Sequence, residues 1–316
     1  MSLKVIDLFC GAGGLSEGFR KAGYNILLGI DSDSVALQTY KLNHPESSII
    51  RGDISKIEKK DILETIGNKK IDIIIGGPPC QGFSMAGNRN PEDPRNFLIK
   101  QFLRIVSEIN PKFFVIENVS GLLSMKNSRG KKFIDEISKK SKKLGYLLTI
   151  RVLKAEEHGV SQKRKRVFIV GSKIKIDLDI KKEEPLLLKQ ILLKKEEVPK
   201  EYFYSKKMIK GFRRREMINK RLGRGFGWKF IYPEGVSYTI SARYYKDGAE
   251  ALVKYSETEI RKLTPEECAL IQSFPKNYIF WGNKREIYRQ IGNAVPPQLS
   301  LKIAEAIKNQ NGKQGK

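Results

Sequence analysis

Five short apolar runs, at residues 3–9, 26–30, 71–75, 113–116 and 167–170, are separated by stretches of helical periodicity at 15–22, 34–43, 97–109 and 131–144. Strand and helix patterns that alternate in this way predict an α/β fold, a doubly wound, mostly parallel sheet with helices on both faces. The apolar runs read as buried parallel strands, and the helical stretches end near Gly, Asn or Pro. Such sheets bind their ligands outside the carboxyl ends of the strands. The residues that follow each apolar run therefore decide what the chain can do.

The alternation stops at Gly171. The chain is then Lys/Glu-rich and weakly periodic, next basic and glycine-rich, and next polar and aromatic over 237–245. This predicts a second, smaller, irregular domain over 178–275, with 1–177 and 276–316 forming the first. Within it, Thr264-Pro265-Glu266-Glu267 reads as an N-cap, a first-turn proline and acidic residues opening a helix through Phe274. A last helix is expected over 297–307, with the tail after Asn309 frayed.

Charge separates the two parts. The 316 residues carry a net charge of +25, and residues 122–316 hold 45 Lys+Arg against 21 Asp+Glu, compared with 15 and 14 before them. The densest block, 200–230, has eleven basic side chains interleaved with Gly and aromatics, a mixture that suits a polyanion better than a folded helix. No apolar run approaches the roughly 20 residues of a membrane span. No signal peptide precedes the first strand, so a cytoplasmic location is expected. Three distant cysteines and two histidines argue against a disulfide framework and against a metal site.

The first strand leads into Asp7-Leu8-Phe9-Cys10-Gly11-Ala12-Gly13-Gly14, a glycine loop opening a helix, which lacks the third glycine of the dinucleotide fingerprint. Asp31 ends the second strand, where an acid would accept hydrogen bonds from ribose hydroxyls, and Gly52-Asp53-Ile54 follows the third, suiting an adenine amino group and an apolar wall. Tight turns with capping aspartates are an equal explanation of these three segments. The fourth run ends in Gly76-Gly77-Pro78-Pro79-Cys80-Gln81-Gly82-Phe83-Ser84. A cysteine presented by two prolines at a strand's carboxyl end, beside a Gly/Asn/Pro-rich loop reaching Arg95, is placed as a nucleophile.

With these segments stand Glu117-Asn118-Val119, QKRKRVFIVG at 162–171, RKLTPEECALIQSFP at 261–275 and QIGNAVPP at 290–297. In this order and spacing the chain resembles the cytosine-C5 DNA methyltransferases of bacterial and archaeal restriction-modification systems, everywhere except about 178–260. The resemblance implies a Rossmann-like methyltransferase fold with a target-recognition domain, and methyl transfer from S-adenosyl-L-methionine, without a metal, to C5 of a cytosine flipped out of duplex DNA. C5 of cytosine is a poor nucleophile, and addition of a thiolate at C6 makes it enamine-like. The resemblance assigns that thiolate to Cys80. Glu117 would meet the N3 edge with a proton, which needs a raised pKa. Arg166 would contact cytosine O2, with Arg164 helping to hold the site and Gln81 and Ser84 beside the substrate.

By the same resemblance Phe9, Gly11 and Gly13 lie at the methionine moiety, Asp31 at the ribose and Asp53 and Ile54 at adenine. Pro79, Leu98 and Asn293 line the pocket, which implies that the C-terminal helix folds back beside the first strand. The loop from Phe83 to Arg95 is expected to close over the extruded base. Arg213, Arg214, Arg215, Arg224 and Arg243 are candidates for guanine edges or phosphates, and Thr239 marks the family's Thr-aliphatic pair in the variable region.

Rival classes fare worse. A nucleotide-dependent oxidoreductase needs neither Cys80 nor Glu117, and a zinc deaminase needs a Cys at position 83, where Phe stands. Relatives that methylate transfer RNA carry a Cys-Phe-Thr signature absent here, which favours duplex DNA; an idle DNA binder is the remaining non-enzyme reading. One chain holding catalysis and recognition is expected to act as a monomer. Its expected counterpart is a restriction endonuclease acting on the same site without a stable complex; a solitary enzyme is the alternative.

Overall fold

In the computed structural model, residues 2–79, 96–127, 130–223, 228–246 and 248–312 are described. A seven-stranded sheet has the order β3-β2-β1-β4-β5-β7-β6, built from β1 (Lys4–Leu8), β2 (Asn25–Asp31), β3 (Ser48–Arg51), β4 (Ile73–Gly76), β5 (Phe113–Val119), β6 (Leu147–Lys154) and β7 (Lys165–Ser172). The helices α1 (Gly14–Lys21), α2 (Ser34–Asn43), α3 (Lys59–Thr65), α4 (Asn96–Ile109) and α5 (Phe133–Lys143) connect the strands. The first five strands in this order pair in parallel. The run at 167–170, expected as another parallel strand, is antiparallel to both β5 and β6. The reason is local: β6 returns directly into β7 without a crossover helix, and a parallel return needs one.

Burial explains why these runs were legible. Ile73, Ile74 and Ile75 of β4 and Phe114, Val115 and Ile116 of β5 are 0% exposed, as central strands covered on both faces must be. β6 escaped the sequence reading because Thr149 and Arg151 interrupt its apolar residues, and only Leu153 is buried in this edge strand.

The chain divides into two compact units, residues 1–154, 165–182 and 294–316 in one, 155–164 and 183–293 in the other. The last helix, α9 (Pro297–Gly312), belongs to the first unit and folds back on α1, the helix after β1. Tyr24 donates to Ala304 O at 2.9 Å, and the Ser300 hydroxyl donates to Leu15 O.

Residues 155–164 and 276–293, expected with the first domain, group with the second unit. Lys163 N–H donates to Ser237 O at 2.8 Å, and Gln162 Oε1 accepts from Ile240 N–H, tying 155–164 into this unit. Helix α8 (Lys284–Asn293) packs on α7 (Pro265–Ile271), and Gln272 Nε2 donates to Ile291 O at 3.0 Å. The second unit also holds α6 (Lys206–Arg221) and a small sheet of β8 (Phe230–Ile231), β9 (Leu252–Lys254) and β10 (Ile260–Lys262). The basic block thus contains a 16-residue helix, contrary to the sequence reading. Ser205 caps it, and Ile209 and Phe212, one turn apart, are its only buried side chains. Ile209 packs with Leu252 and Ile260, and the Phe212 ring lies 5.3 Å from Tyr204 and 5.6 Å from Trp228. Two anchors among so many cations leave little apolar periodicity to read.

The expected capping box opens α7: Thr264 Oγ1 accepts from Glu267 N–H, and Glu267 Oε2 accepts from Thr264 N–H at 2.8 Å. The helix ends at Ile271, short of Phe274, with Ser273 in the left-handed region. Glu267 also receives a bidentate ion pair from Arg261, at 2.7 and 2.8 Å, with both side chains at 1% exposure or less. Arg261→Met strands that carboxylate in the interior and is expected to cost about 3–5 kcal/mol, whereas Arg261→Met with Glu267→Gln recovers part of it. Urea unfolding followed by tryptophan fluorescence reads this directly, because Trp228 and Trp281 both lie in the second unit.

Candidate active site

β1 ends at Leu8, and the chain turns through Phe9 (φ 64°), Gly11 (φ 51°) and Gly13 (φ 87°) before α1 begins. The glycines adopt this left-handed backbone without steric cost. Phe9 does not, and strain of about 1–3 kcal/mol in a side-chain-bearing residue gathers at binding sites. The turn is pinned from the neighbouring strand. Cys10 N–H donates to Ile30 O at 3.0 Å and Gly11 N–H to Asp31 Oδ2 at 2.8 Å, while Asp31 Oδ1 accepts from Asp33 N–H at 2.9 Å. Burial pushes the Asp31 pKa up, and these backbone bonds hold it down.

After β3, Asp53 is exposed and accepts from Ser55 N–H at 2.9 Å, a bond that lowers its pKa. Ile54 is 4% exposed and packs into the core beneath the sheet ends. Arg104 of α4 clamps this turn, donating to Ile54 O at 2.8 Å and Ile57 O at 2.9 Å. Leu98 packs against the same cluster, and Pro79 is half-buried after β4. Phe9, Gly11, Gly13, Asp31, Asp53 and Ile54 therefore sit at the carboxyl ends of three neighbouring strands.

Glu117 lies inside β5, not after it. In the antiparallel register Val119 faces Arg166 and Glu117 faces Phe168, so Glu117 and Arg166 are diagonal neighbours on one side of the sheet. Arg166 Nε donates to Glu117 Oε1 at 2.9 Å, with the two side chains 16% and 10% exposed. The other Glu117 oxygen faces Gly77: a Cβ built there would lie 3.3 Å from Oε2. Asn118 alternates to the opposite side and donates to Pro78 O at 3.1 Å. Consecutive residues of β5 thus hold both the acid and the peptide leading to Cys80. Asn118 was missed as a positioning residue; its signal was its place in the Glu117-Asn118-Val119 motif.

Arg164 has different partners. It precedes β7, is 3% exposed, and donates to Ile240 O at 3.1 Å and Gly292 O at 3.0 Å, holding backbone of the second unit. Gly292 itself lies so close to Ser241 that a Cβ would come within 2.3 Å of that residue's carbonyl. Asn293 is the exposed last residue of α8 in this unit. Thr239 is exposed and donates to Lys163 O. Arg213 is ion-paired with Glu257, while Arg214, Arg215 and Arg243 are exposed. Cys80, Gln81, Ser84 and Arg224, and the loop from Phe83 to Arg95, lie outside the described residues. Among the described residues no group of His, Cys, Asp or Glu could hold a metal ion, and no helix is long and apolar enough to cross a membrane.

A sheet of this order, with a strained glycine loop after its first strand, is that of a Rossmann-like methyltransferase. It is similar in fold to the Entamoeba histolytica methyltransferase EhMeth, with a TM-score of 0.78 at 18% identity over 98% of each chain. The chain belongs to the C-5 cytosine-specific DNA methylase family, whose sequence model matches residues 3–309, and is by class a DNA (cytosine-5-)-methyltransferase. Its relatives include the Type II methyltransferase M.DdeI of Desulfomicrobium norvegicum, 33% identical over 96% of this chain and 88% of the relative. The Type II methyltransferase M1.HphI of Haemophilus parahaemolyticus is 34% identical over 98% of this chain and 88% of its own length.

Proposed function

We propose that the protein methylates C5 of a specific cytosine turned out of duplex DNA, using S-adenosyl-L-methionine and a covalent bond between Cys80 and C6. The observation that carries this reading is Glu117, ion-paired with Arg166 and facing Gly77 three residues before Cys80. The Cys80 thiolate adds to C6, and the electron pair displaced toward N3 is met there by the Glu117 carboxyl. Arg166 fixes that carboxyl and offers its remaining N–H groups to cytosine O2. Once C5 carries the transferred methyl, loss of the C5 proton, expulsion of the Cys80 thiolate and return of the N3 proton to Glu117 restore the aromatic ring and the free cysteine.

The first unit's residues fit S-adenosyl-L-methionine. A Cβ at Gly11 would meet nothing within 4 Å, so the loop surface is open; the α1 N-terminus suits the methionine carboxylate, and Asp31 and Asp53 suit hydroxyl and amino donors. Bound there, the group supplies an electrophilic methyl on sulfur. Asp31→Ala removes the acceptor of the Gly11 and Asp33 N–H groups as well as the ribose partner. It is expected to weaken binding of S-adenosyl-L-homocysteine by roughly 10- to 100-fold in calorimetry, as loss of buried hydrogen bonds does.

Target recognition falls to the second unit, with Arg214, Arg215, Arg243 and Thr239 toward DNA; Arg213, tied to Glu257, contributes less. The Type II names of the relatives support a place beside a restriction endonuclease of the same specificity; we further propose that the protein acts as a cytoplasmic monomer gathered on the nucleoid by its DNA. Transfer of labelled methyl to unmethylated duplex DNA, with the product nucleoside identified, tests the reading. 5-Methylcytosine supports it; cofactor binding with no transfer to any duplex overturns it.

A further inference from the structure

Beneath the glycine loop lies a line of buried polar groups that the reaction does not use. Asp7 of β1 is 0% exposed, and its Oδ2 accepts from the Ser16 hydroxyl of α1 at 2.7 Å. Ser16 Oγ is 3.0 Å from the Tyr40 hydroxyl of α2, and both residues are 0% exposed. The Tyr40 ring lies 4.5 Å from that of His44, which is hydrogen-bonded to the Gly13 backbone. The line begins two residues before strained Phe9 and ends at Gly13, spanning the loop from below.

Asp7 makes no ion pair among the described residues, and its Oδ1, also buried, has no hydrogen-bond partner. A carboxylate so placed is costly, while a neutral acid is tolerated. We propose that Asp7 is a positioning residue that sets the cofactor loop through Ser16 as the neutral acid, so that its ionisation loosens the loop and weakens the cofactor. This rests on the S-adenosyl-L-methionine reading of the loop.

The surroundings agree. Burial, with Asp31 adding, pushes the Asp7 pKa up to about 8. Cys10 in the loop is pushed up too, and burial with Arg20 nearby lowers His44 to about 4, so neither adds charge at neutral pH. Tyr40 of α2 is buried, Glu17 of α1 is paired with Arg20, and the flanking β4 has no titratable residue. Among Asp7, Cys10 and His44, only Asp7 is placed to ionise in the mildly alkaline range.

The test is calorimetry with S-adenosyl-L-homocysteine from pH 6.5 to 9.5 on wild type, Asp7→Asn and Asp7→Ala, with Tm measured from pH 4 to 9. Wild-type affinity is expected to fall about tenfold between pH 7 and pH 9 relative to Asp7→Asn, since only the neutral form binds well. Asp7→Asn, which shares any titration of the ligand, keeps wild-type affinity at pH 7, and Asp7→Ala loses it throughout. The folded chain holds a proton that the unfolded chain releases above the ordinary carboxylate range, so stability from this group falls as pH rises from about 4 to about 8. The Tm of Asp7→Asn should therefore gain on wild type across that window. Parallel affinity profiles, or an Asp7→Asn as weak as Asp7→Ala at pH 7, overturn the inference. If Asp7→Asn does not fold, a wild-type affinity flat from pH 7.5 to 9 overturns it equally. Wild type that binds no S-adenosyl-L-homocysteine at pH 7 refutes the cofactor reading itself, and the Tm arm alone still reads the protonation of Asp7.

Discussion

Cys80→Ala is expected to reduce methyl transfer to background, a loss on the order of 10⁵-fold or more, because the proposed mechanism activates C5 only through the Cys80 thiolate. The other thiols cannot substitute. Cys10 and Cys268 are buried at 6% and 0% exposure, and burial pushes both pKa values well up, leaving neither as a thiolate at neutral pH. Cys80→Ser should be nearly as inactive, since a serine hydroxyl does not ionise in this range. S-adenosyl-L-homocysteine affinity should stay within about twofold of wild type, because the bonds that pin the loop after β1 run to Ile30 and Asp31 of β2. The measurement is single-turnover transfer of labelled methyl to duplex DNA, with calorimetry on the same variants. Substantial transfer by Cys80→Ala would mean that C5 is activated by something other than a thiolate at this position.

Glu117→Gln is expected to lower kcat by roughly 10²- to 10⁴-fold, the usual contribution of a positioned acid, with little change in DNA affinity. The amide keeps the shape and still accepts from Arg166, but it cannot give a proton to N3. Arg166→Ala should show a smaller loss in kcat together with a raised KM for DNA, since it both frees the Glu117 carboxyl and removes the proposed O2 contact. Transient kinetics separates the two: the first variant slows chemistry alone. A Glu117→Gln enzyme at wild-type kcat would remove Glu117 from the reaction.

Recognition of the target tests a different part of the molecule, and there the helix α6 changes the expectation. Seven of its cations besides Arg213 project from a helix with only two buried side chains. They are exposed on one helix, in place of the irregular polyanion contact that composition implied.

How far the sequence could be read depended on whether a residue's role is local. The five apolar runs became strands β1, β2, β4, β5 and β7 because a strand covered on both faces must be apolar throughout, and the Thr264 capping box opened α7 because its bonds span only three residues. The glycine loop was legible for the same reason: Gly11 and Gly13 stand where the backbone turns left-handed. The direction of β7 was not legible, since parallel and antiparallel strands have one hydrophobic pattern and differ only in partner. Helix α6 was hidden because two anchors suffice to dock it.

The sequence by itself determined the family and with it the class of reaction, through the ordered motifs that include Cys80, Glu117 and Arg166, since such motifs are a matter of residue type and local backbone. Only the tertiary structure decided what those groups rest upon. It paired Glu117 with Arg166 across two antiparallel strands, set Asn118 on the Pro78 carbonyl, gave Arg164 to the backbone of the second unit, and buried Asp7 against Ser16. Each of these contacts joins residues from 9 to 128 positions apart, and the strand register and helix packing that close such distances leave no trace in the residues between.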